Sequence, residues 1–456
     1  MKKIARFTVL TIIALAGVVV LIALFTLAPV NRTIDRSAMQ EEMKQRIQNL
    51  PAGDTTFGIF RMGYAKKSLV PPFAVATAGY GKRRGKLYTA IRDSVFVRAM
   101  VVDKGITKAA IVSADLLIFP PTVTLLLEKE LPSIGFSIDN TYLGATHTHN
   151  SIGNWGEGAA SFLYGDYNET VVRFIADQVK ACLQEASAQL EPVTVRSGVI
   201  PVPQAVRNRL IKNGPVDSLL RVIEFQQPDS SKQVLMSYTA HATCLSSSDL
   251  RISRDYPGAL TDSVEARGYS FAMFLAGAVG SHACNAPEKG DDCIGWMANE
   301  VTNALEHSKT DLQTLSGTTL NTGRLRLELN NPQPKITGNL RLCSWVFRSA
   351  FGEYPVFLNA LQFGNVLMLG TPCDYSGQFN TQLDRLADSY NILPIVTSFN
   401  GGYIGYVTPD RYFEENHYET RLMNWYGYGT GAYVTDCLEG LITQIGENGQ
   451  PLGRPF

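Results

Sequence analysis

The sequence predicts an α/β protein, with a mixed β-sheet core and flanking helices in one large domain and an N-terminal transmembrane helix before it. Strand-like apolar runs alternate with segments of helical periodicity along the chain. The composition is that of a globular protein, with 45% apolar and 18% charged residues among 456. No internal repeat is recognisable in the sequence. The predicted strands cover residues 95–102, 109–112, 234–238, 271–275 and 357–369, and the predicted helices cover residues 170–190, 258–266, 296–307, 376–387 and 431–445.

The N-terminus predicts a membrane segment. Basic residues at positions 2, 3 and 6 precede an uncharged run over residues 7–30, and these 24 residues suffice for a helix across a hydrocarbon layer of ~30 Å. The run is long for a signal peptide and lacks a clear cleavage site, which favours a retained anchor over a cleaved signal. A buried core helix is disfavoured. We therefore expect three parts: a transmembrane or signal segment (1–30), a stalk or linker (31–54) and a globular domain (55–456). Within the second part, residues 34–50 predict a polar, partly amphipathic helix or stalk that leads away from the membrane.

Either reading of the N-terminus places the globular domain on the extracytoplasmic side, periplasmic or extracellular, because the flanking positive charges stay inside. The rest of the chain is electrically balanced, with 41 Lys and Arg against 41 Asp and Glu. Without a basic excess or a run of like charge, nucleic acid is not an expected partner.

Seven cysteines fit an oxidising compartment, although their number is odd. The sequence has no Cys-x-x-Cys pair, so a cysteine-ligated zinc site is disfavoured. Cys284 and Cys293 are close enough in sequence to bridge a loop, but spacing alone does not establish a disulfide.

The most informative motif is His147-Thr148-His149, which follows an apolar, β-branched run. The chain has only six histidines, and two of them lie here. Because side chains alternate along a strand, both imidazoles are predicted to lie on one face. Imidazole is a common zinc ligand, so the motif makes a metal-dependent enzyme the first hypothesis.

Two further residues are candidates for the same site. His241 closes a second apolar run, where a hydrogen-bonded structural role is the alternative to metal binding. Asp374 follows the apolar run 366–370, and a carboxylate there can complete a ligand set. Its alternative role is the N-cap of the helix predicted over residues 376–387.

A Gly-rich segment over residues 401–408 carries Tyr403 and Tyr406 and is followed by three more tyrosines, at positions 412, 418 and 426. Tyrosines at this density are typical of an interface patch, or of phenols that bind a metal or an oxyanion. The chain lacks a dinucleotide-binding Gly fingerprint, a P-loop and a Gly-x-Ser-x-Gly elbow, which disfavours an ordinary serine hydrolase.

Together these motifs resemble the N-terminal catalytic domain of the neutral (non-lysosomal) ceramidases. The resemblance spans roughly residues 55–440, and the His-Thr-His motif and the tyrosine segment are its most specific parts. It identifies the chain as a divergent member that lacks the family's C-terminal immunoglobulin-like domain. The matching segments are residues 57–81, 113–116, 145–149, 371–374, 402–408 and 417–419.

The resemblance implies one zinc ion per chain. His147 and His241 would bind it, Asp374 would replace the family's glutamate, and Tyr406 would be a phenolate ligand. A water bound to the zinc would attack an amide carbon, since zinc lowers the pKa of such a water to ~7 and polarises the carbonyl. The implied reaction is hydrolysis of ceramide, or of a ceramide-like N-acyl lipid at the membrane surface, to a fatty acid and a sphingoid base.

The resemblance also implies the residues that contact the substrate. His149, Arg209 and Tyr418 would contact its hydroxyl and amide groups, and Tyr418 or His149 would donate to the developing oxyanion. The family's active-site serine lies in a Gly-Asp-x-Ser-Pro-Asn motif, which here reads Gly-Ser-His-Ala-Cys-Asn over residues 280–285. Ser281, His282 and Cys284 are the candidate substitutes for that serine, with Ser281 taken as the site residue, and an ordinary strand-to-loop turn is the alternative interpretation of the segment.

This departure leaves two other functions open. One is a zinc hydrolase of the same fold that cleaves another amide or ester. The other, from a different class, is a catalytically silent, membrane-tethered binding protein. The presence of candidate ligands in separate segments argues against the silent protein.

Overall fold

The computed structural model describes residues 2–51, 53 and 58–448. The expected start of the globular domain at residue 55, and Phe57 at the start of the first family-like segment, lie outside the described residues. The chain begins with helix α1 (Lys2–Thr26), continues through helix α2 (Ser37–Gln48) and then enters an α/β body.

The body repeats one strand–helix order three times. In each unit three consecutive strands pair antiparallel, a helix follows the third strand, the fourth strand pairs parallel to the third, and a second helix ends the unit. A helical crossover is the usual way to join neighbouring parallel strands. The first unit comprises strands Arg61–Ser68, Phe96–Asp103, Lys108–Ala114 and Thr141–Ala145 with helices α3 (Pro121–Glu130) and α4 (Glu169–Ala188).

The second and third units have the same topology. The second unit comprises strands Thr194–Pro201, Leu219–Gln226, Lys232–Tyr238 and Phe271–Ala276 with helices α5 (Asp255–Ala266) and α6 (Asp291–Ser308). The third unit carries an inserted helix α7 (Ser344–Phe351) after its first strand. It comprises strands Leu320–Arg326, Phe357–Phe363, Val366–Gly370 and Leu393–Thr397 with helices α8 (Asn380–Asp388) and α9 (Thr430–Asn448).

Short strands extend and connect the three sheets. Glu191–Pro192 joins the edge of the first sheet, and Gln313–Thr314 joins the edge of the second. The two-residue and three-residue pairs are Leu27–Pro29 with Leu340–Leu342, Thr77–Ala78 with Ser151–Ile152, Ala90–Ile91 with Arg251–Ile252, Val206–Asn208 with His282–Cys284, and Asp374–Tyr375 with Tyr406–Val407.

The three sheets share a central core. Alternate residues of their strands, such as Met100, Phe225 and Met368, meet in one buried cluster. The residues between them, such as Val101, face the helices of their own unit. Both faces of each sheet are therefore buried, which explains why the predicted strands are continuous apolar runs without polar alternation. The predicted α/β class with mixed sheets and flanking helices is confirmed, with three sheets in place of a single one.

The third and fourth strands of every unit run in the same direction, so the loops that follow them leave from the same end of the unit. His147 follows the fourth strand of the first unit, His241 the third strand of the second, and Asp374 the third strand of the third. The repeat therefore presents candidate ligands from all three units at the same end of each unit, although His147 follows a fourth strand and the other two follow third strands.

The N-terminal segment differs from the stalk expected over residues 31–54. Helix α2 packs against α9 and buries Met43 and Ile47 in the core of the third unit. Its apolar residues at i and i+4 form one face of the helix, and that face finds a partner in the body. The part of the segment occupied by α2 is therefore integral to the body.

We expect Met43→Ala to lower the free energy of unfolding by about 2–5 kcal/mol, because the substitution opens a cavity under α2. The neighbouring exposed residue Lys44 provides the control, and Lys44→Ala is expected to change stability by less than ~0.5 kcal/mol. Denaturant unfolding followed by circular dichroism measures both. Equal effects of the two substitutions would mean that the segment is a detached stalk.

Helix α1 contains a 21-residue stretch, Arg6–Thr26, with a mean hydropathy of 2.9 and none of it buried. Among the described residues it is the one helix long and apolar enough to cross a membrane, and it can serve either as an anchor or as a signal sequence. The side of the membrane on which the body lies stays a prediction.

Cys293 pairs with Cys244 in a disulfide, and Cys284 is a buried free thiol whose Sγ lies 3.9 Å from that of Cys244. The bridge ties the loop after the third strand of the second unit to α6. Cys293 thus pairs with Cys244 and not with Cys284, which is closer in sequence. Tertiary packing, and not sequence spacing, brings the bonded pair together.

Loss of this disulfide is expected to destabilise the protein markedly. The bridge closes a loop with a sequence separation of 49 residues, for which chain entropy predicts about 4 kcal/mol. Thermal unfolding of Cys293→Ser, compared with Cys343→Ser at a free cysteine in α7's N-cap position, tests this. A Tm drop confined to Cys293→Ser is expected, and unchanged thermal stability would contradict the pairing.

Candidate metal centre

The His-x-His motif lies in a turn just beyond its strand. The strand ends at Ala145, and His147 has a φ of 62°, in the left-handed region that favours glycine. The expected strand alternation is therefore not what brings the two imidazoles together. His147 Nδ1 donates to the Leu117 carbonyl at 2.5 Å, and Phe399 stacks on the His147 ring with centroids 3.8 Å apart. These contacts fix the imidazole ring and so stabilise the strained backbone conformation of His147.

Three imidazole nitrogens converge at the centre of the site. The Nε2 atom of His147 lies 2.8 Å from that of His241 and 3.0 Å from that of His149. The Nε2 atoms of His149 and His241 are 3.1 Å apart. His147 and His241 are buried, whereas His149 is partly exposed. The family resemblance implies that His149 contacts the substrate, and in the structure its Nε2 lies at nearly equal distances from those of His147 and His241.

Asp374 approaches the same point from the third unit. Its short strand pairs parallel with that of Tyr406, and its backbone N–H donates to the Gly405 carbonyl at 3.0 Å. The Tyr403 hydroxyl donates to Asp374 Oδ2 at 2.6 Å. The alternative N-cap role does not apply, because the Ser376 side chain caps the following turn.

The other carboxylate oxygen of Asp374 faces the histidines. Asp374 Oδ1 is buried, lacks a hydrogen-bond partner among the described residues, and lies 3.6 Å from His147 Nε2. An unpaired buried carboxylate oxygen is costly unless a cation or a proton compensates it. A cation held by the imidazoles could compensate this oxygen, which also lies 3.9 Å from His241 Nδ1.

The electrostatics of the cluster favour neutral imidazoles. Burial lowers the pKa of His147 to about 3 and the pKa values of His149 and His241 well below their ordinary value. Burial raises the pKa of Asp374 to about 7, against the hydrogen bond from Tyr403. Since His147 Nδ1 donates to a carbonyl, its Nε2 carries a lone pair toward the cluster.

The cluster has the donors and the spacing that zinc requires. Tetrahedral zinc with bonds of 2.0–2.1 Å to nitrogen places neighbouring ligand atoms ~3.3 Å apart. The spacings of 2.8, 3.0 and 3.1 Å among the three Nε2 atoms are within a few tenths of an ångström of that value. His147, His149 and His241 thus form a group that can hold a metal ion.

The other predicted site residues, Arg209, Tyr406 and Tyr418, lie on one side of the cluster. We call it the open side, because Tyr418 is exposed there. Arg209 forms an ion pair with Glu419, and its guanidinium lies 5.7 Å from the centroid of the Tyr406 ring. The Tyr406 and Tyr418 rings are 6.0 Å apart, and Tyr418 is 52% exposed. Burial, followed by the charge of Asp374, raises the pKa of Tyr418 to about 12, so its hydroxyl is a proton donor.

Ser281 lies between the loops that carry Arg209 and Asp374. Its hydroxyl is fully buried, 2.6 Å from Ser376 Oγ and 3.0 Å from His282 Nδ1, and its carbonyl accepts from the Arg209 backbone N–H at 2.9 Å. These bonds fix the loop that carries Arg209 against the one that carries Asp374. Direct participation of Ser281 in a reaction stays a prediction.

Three residues that hold the site were not predicted from the sequence: Leu117, Phe399 and Arg83. The buried Arg83 guanidinium donates to the His149 carbonyl at 2.6 Å and to Asn150 Oδ1 at 2.9 Å. A carbonyl, a stacking ring and a buried guanidinium act through tertiary contacts alone. The sequence around them contains no motif that distinguishes them from ordinary core residues.

Comparison with solved structures identifies the fold. A crystal structure of neutral ceramidase from Pseudomonas aeruginosa superposes with a TM-score of 0.72 at 17% identity, over 85% of this chain and 75% of that one. A ceramidase complexed with C2 matches with the same TM-score and coverage at 16% identity. No protein-family model and no curated protein sequence matches the chain. The chain therefore has a neutral ceramidase-like fold, as the sequence resemblance indicated.

Proposed function

We propose that the protein is a membrane-anchored, zinc-dependent amidohydrolase that cleaves ceramide or a ceramide-like N-acyl lipid. The observation that carries the proposal is the convergence of three imidazole Nε2 atoms, all within 3.1 Å of one another, beside the unpaired Oδ1 of Asp374. The ceramidase-like fold supports the substrate class.

In this proposal His147, His241 and Asp374 hold the zinc ion, with Tyr406 as the fourth ligand. The first three are buried and come from different units of the fold, so their geometry is set by the core. Tyr406 shares a strand pair with Asp374, and its ring lies 6.4 Å from that of His241. Bound zinc would polarise the amide carbonyl and lower the pKa of a water molecule.

The remaining residues bind the substrate. His149 is partly exposed at the edge of the cluster, so its imidazole can contact the hydroxyl and amide groups of the substrate. Arg209 and Tyr418 lie on the open side, where a guanidinium and a protonated phenol can donate to the amide oxygen and to the lipid's hydroxyl groups.

One observation favours a second function within the same class. The family's serine position is Ala283 here, and the nearest candidate, Ser281, has a fully buried hydroxyl. A site without that serine suits a hydrolase of the same fold that cleaves a different amide or ester. The silent binding protein is less favoured, because candidate ligands from three separate units of the fold converge on one group of imidazole nitrogens.

The test is hydrolysis by the purified full-length chain. With zinc bound, we expect release of fatty acid from a labelled short-chain ceramide, loss of turnover after chelation and recovery on adding zinc. Zinc-dependent cleavage of other N-acyl compounds or esters, with none of ceramide, would select the second function. A protein that binds less than ~0.2 zinc per chain and cleaves none of these substrates would be the silent form.

A further inference from the structure

The exit of α1 is joined rigidly to the body. Directly after the helix, Leu27–Pro29 pairs antiparallel with Leu340–Leu342. The Cys343 backbone N–H donates to the Thr26 carbonyl at 2.8 Å, and Trp345 Nε1 donates to the Phe25 carbonyl at 3.2 Å. These bonds include the last turn of α1 itself, so a membrane spanned by α1 would lie immediately against this part of the body.

The residues next to these two paired strands connect the α1 exit to the loop beside the candidate metal centre. Arg32 forms an ion pair with Glu414 at 2.7 Å, in the loop 410–428 that carries Tyr418. The Gln333 backbone N–H donates to the Trp425 carbonyl at 2.6 Å, and the Lys335 backbone N–H donates to the Arg421 carbonyl at 3.3 Å. The segments beside the α1 exit therefore contact the loop that carries Tyr418 directly.

A second connection reaches the site from its other side. Helix α7, which carries Trp345, lies against the 3-10 turn Ala159–Leu163. That turn also lies against the turn Gly81–Arg83, next to Tyr80, whose ring centroid is 4.8 Å from that of His149. The α1 exit and the site therefore share neighbours on both flanks.

Large apolar side chains are exposed along these two connections. Trp345 is 57% exposed, Phe162 59% and Leu422 43%. With Ile336, Leu340 and Tyr418, which are also exposed, they form what we call the apolar rim. Exposed apolar clusters mark interaction surfaces, and tryptophan and tyrosine are enriched where proteins meet the headgroup region of a bilayer.

We propose that the apolar rim lies in the surface of the bilayer that α1 spans, so that the candidate metal centre takes its lipid substrate directly from that bilayer. The bilayer is favoured over a second copy of the chain because the rim is continuous with the exit of an exposed 21-residue apolar helix. The docking depends on a retained α1, and only the entry of substrate rests on the proposed function.

Tryptophan fluorescence of the full-length chain tests the docking. Of the four tryptophans, Trp155 and Trp425 are buried and Trp296 lies on α6 in the second unit. In phosphatidylcholine vesicles with brominated acyl chains, we expect quenching relative to unbrominated vesicles, and loss of at least half of that quenching in Trp345→Phe. Equal quenching in wild type and Trp345→Phe would overturn the proposal, as would membrane-bound protein whose intact mass lacks residues 1–30.

A second measurement tests the entry of substrate. Phe162→Asp and Leu422→Asp are expected to reduce turnover of a long-chain substrate in vesicles at least fivefold and to leave turnover of a water-soluble short-chain substrate unchanged. Ile106→Asp is the matched control, because Ile106 is 81% exposed in the turn at the opposite end of the first sheet.

The two measurements separate the possible failures. Equal loss on both substrates, or equal loss in Ile106→Asp, would overturn direct entry from the bilayer. If the protein hydrolyses no lipid at all, the proposed function fails while the quenching result still decides the docking. If self-association of the protein shielded Trp345 from an aqueous quencher, and brominated lipid did not quench it, the apolar rim would be an interface with a second copy. That result would overturn the proposal.

Discussion

His147→Ala is expected to remove bound zinc and to reduce hydrolysis by at least ~100-fold, since even residues that only orient metal ligands cost 10–100-fold when removed. The ring is central to the cluster, with its Nε2 2.8 Å and 3.0 Å from those of His241 and His149 and 3.6 Å from Asp374 Oδ1. Zinc content by elemental analysis and turnover of a labelled ceramide measure the two effects. Hydrolysis that survives the substitution would exclude a metal mechanism at this site.

His149→Ala is the matched comparison for that experiment. If His149 serves the substrate, as the sequence resemblance implies, its removal leaves zinc content near one per chain and lowers turnover alone. The structure supplies the reason to test this, because the Nε2 of His149 is within 3.1 Å of both other rings. Loss of zinc from His149→Ala as complete as from His147→Ala would make His149 a third nitrogen ligand.

Gly280→Ala is expected to lower both stability and zinc affinity, although Gly280 contributes no ligand. A Cβ at this position would lie 2.2 Å from the Asp374 carbonyl oxygen, and that contact is with backbone that cannot rotate away. Relieving the overlap must displace the strand Asp374–Tyr375, to which the Gly280 backbone N–H donates at 2.8 Å. We expect a cost of about 1–3 kcal/mol in unfolding free energy and weaker zinc binding.

Gly295→Ala is the control for this prediction. Gly295 lies on α6, and a Cβ there would meet nothing within 4 Å. Because alanine is a better helix former than glycine, this substitution is expected to stabilise the protein by about 0.5–1 kcal/mol. Thermal unfolding is expected to show stability changes of opposite sign in the two variants, and zinc titration is expected to show weaker binding in Gly280→Ala alone. Zinc affinity unchanged in Gly280→Ala would mean that this backbone contact does not position Asp374.

The elements of the fold were more predictable than their arrangement. The apolar runs ending near Val102 and Tyr238 coincide with observed strands, because fully buried strands need continuous apolar sequence. The threefold repeat was not predictable, since each unit satisfies the same topology with different side chains. The partly amphipathic helix expected within residues 34–50 is present as α2, but its packing against the body was not expected, because its two buried residues, Met43 and Ile47, do not identify a partner.

The sequence by itself determined the chemical identity of the site. It supplied the His-Thr-His motif, His241, Asp374, Tyr406 and the apolar N-terminal segment, and these residue types predict metal binding and a possible membrane anchor. Only the tertiary structure decided how they meet. His147 and His241 are 94 residues apart in sequence, and their Nε2 atoms lie 2.8 Å apart because the loops that follow strands of separate units converge. The placement of His149 depends on a left-handed turn at His147, which is held by Leu117 and Phe399 from distant loops. Such contacts leave no local pattern in a sequence, because their energy arises only when the chain is folded.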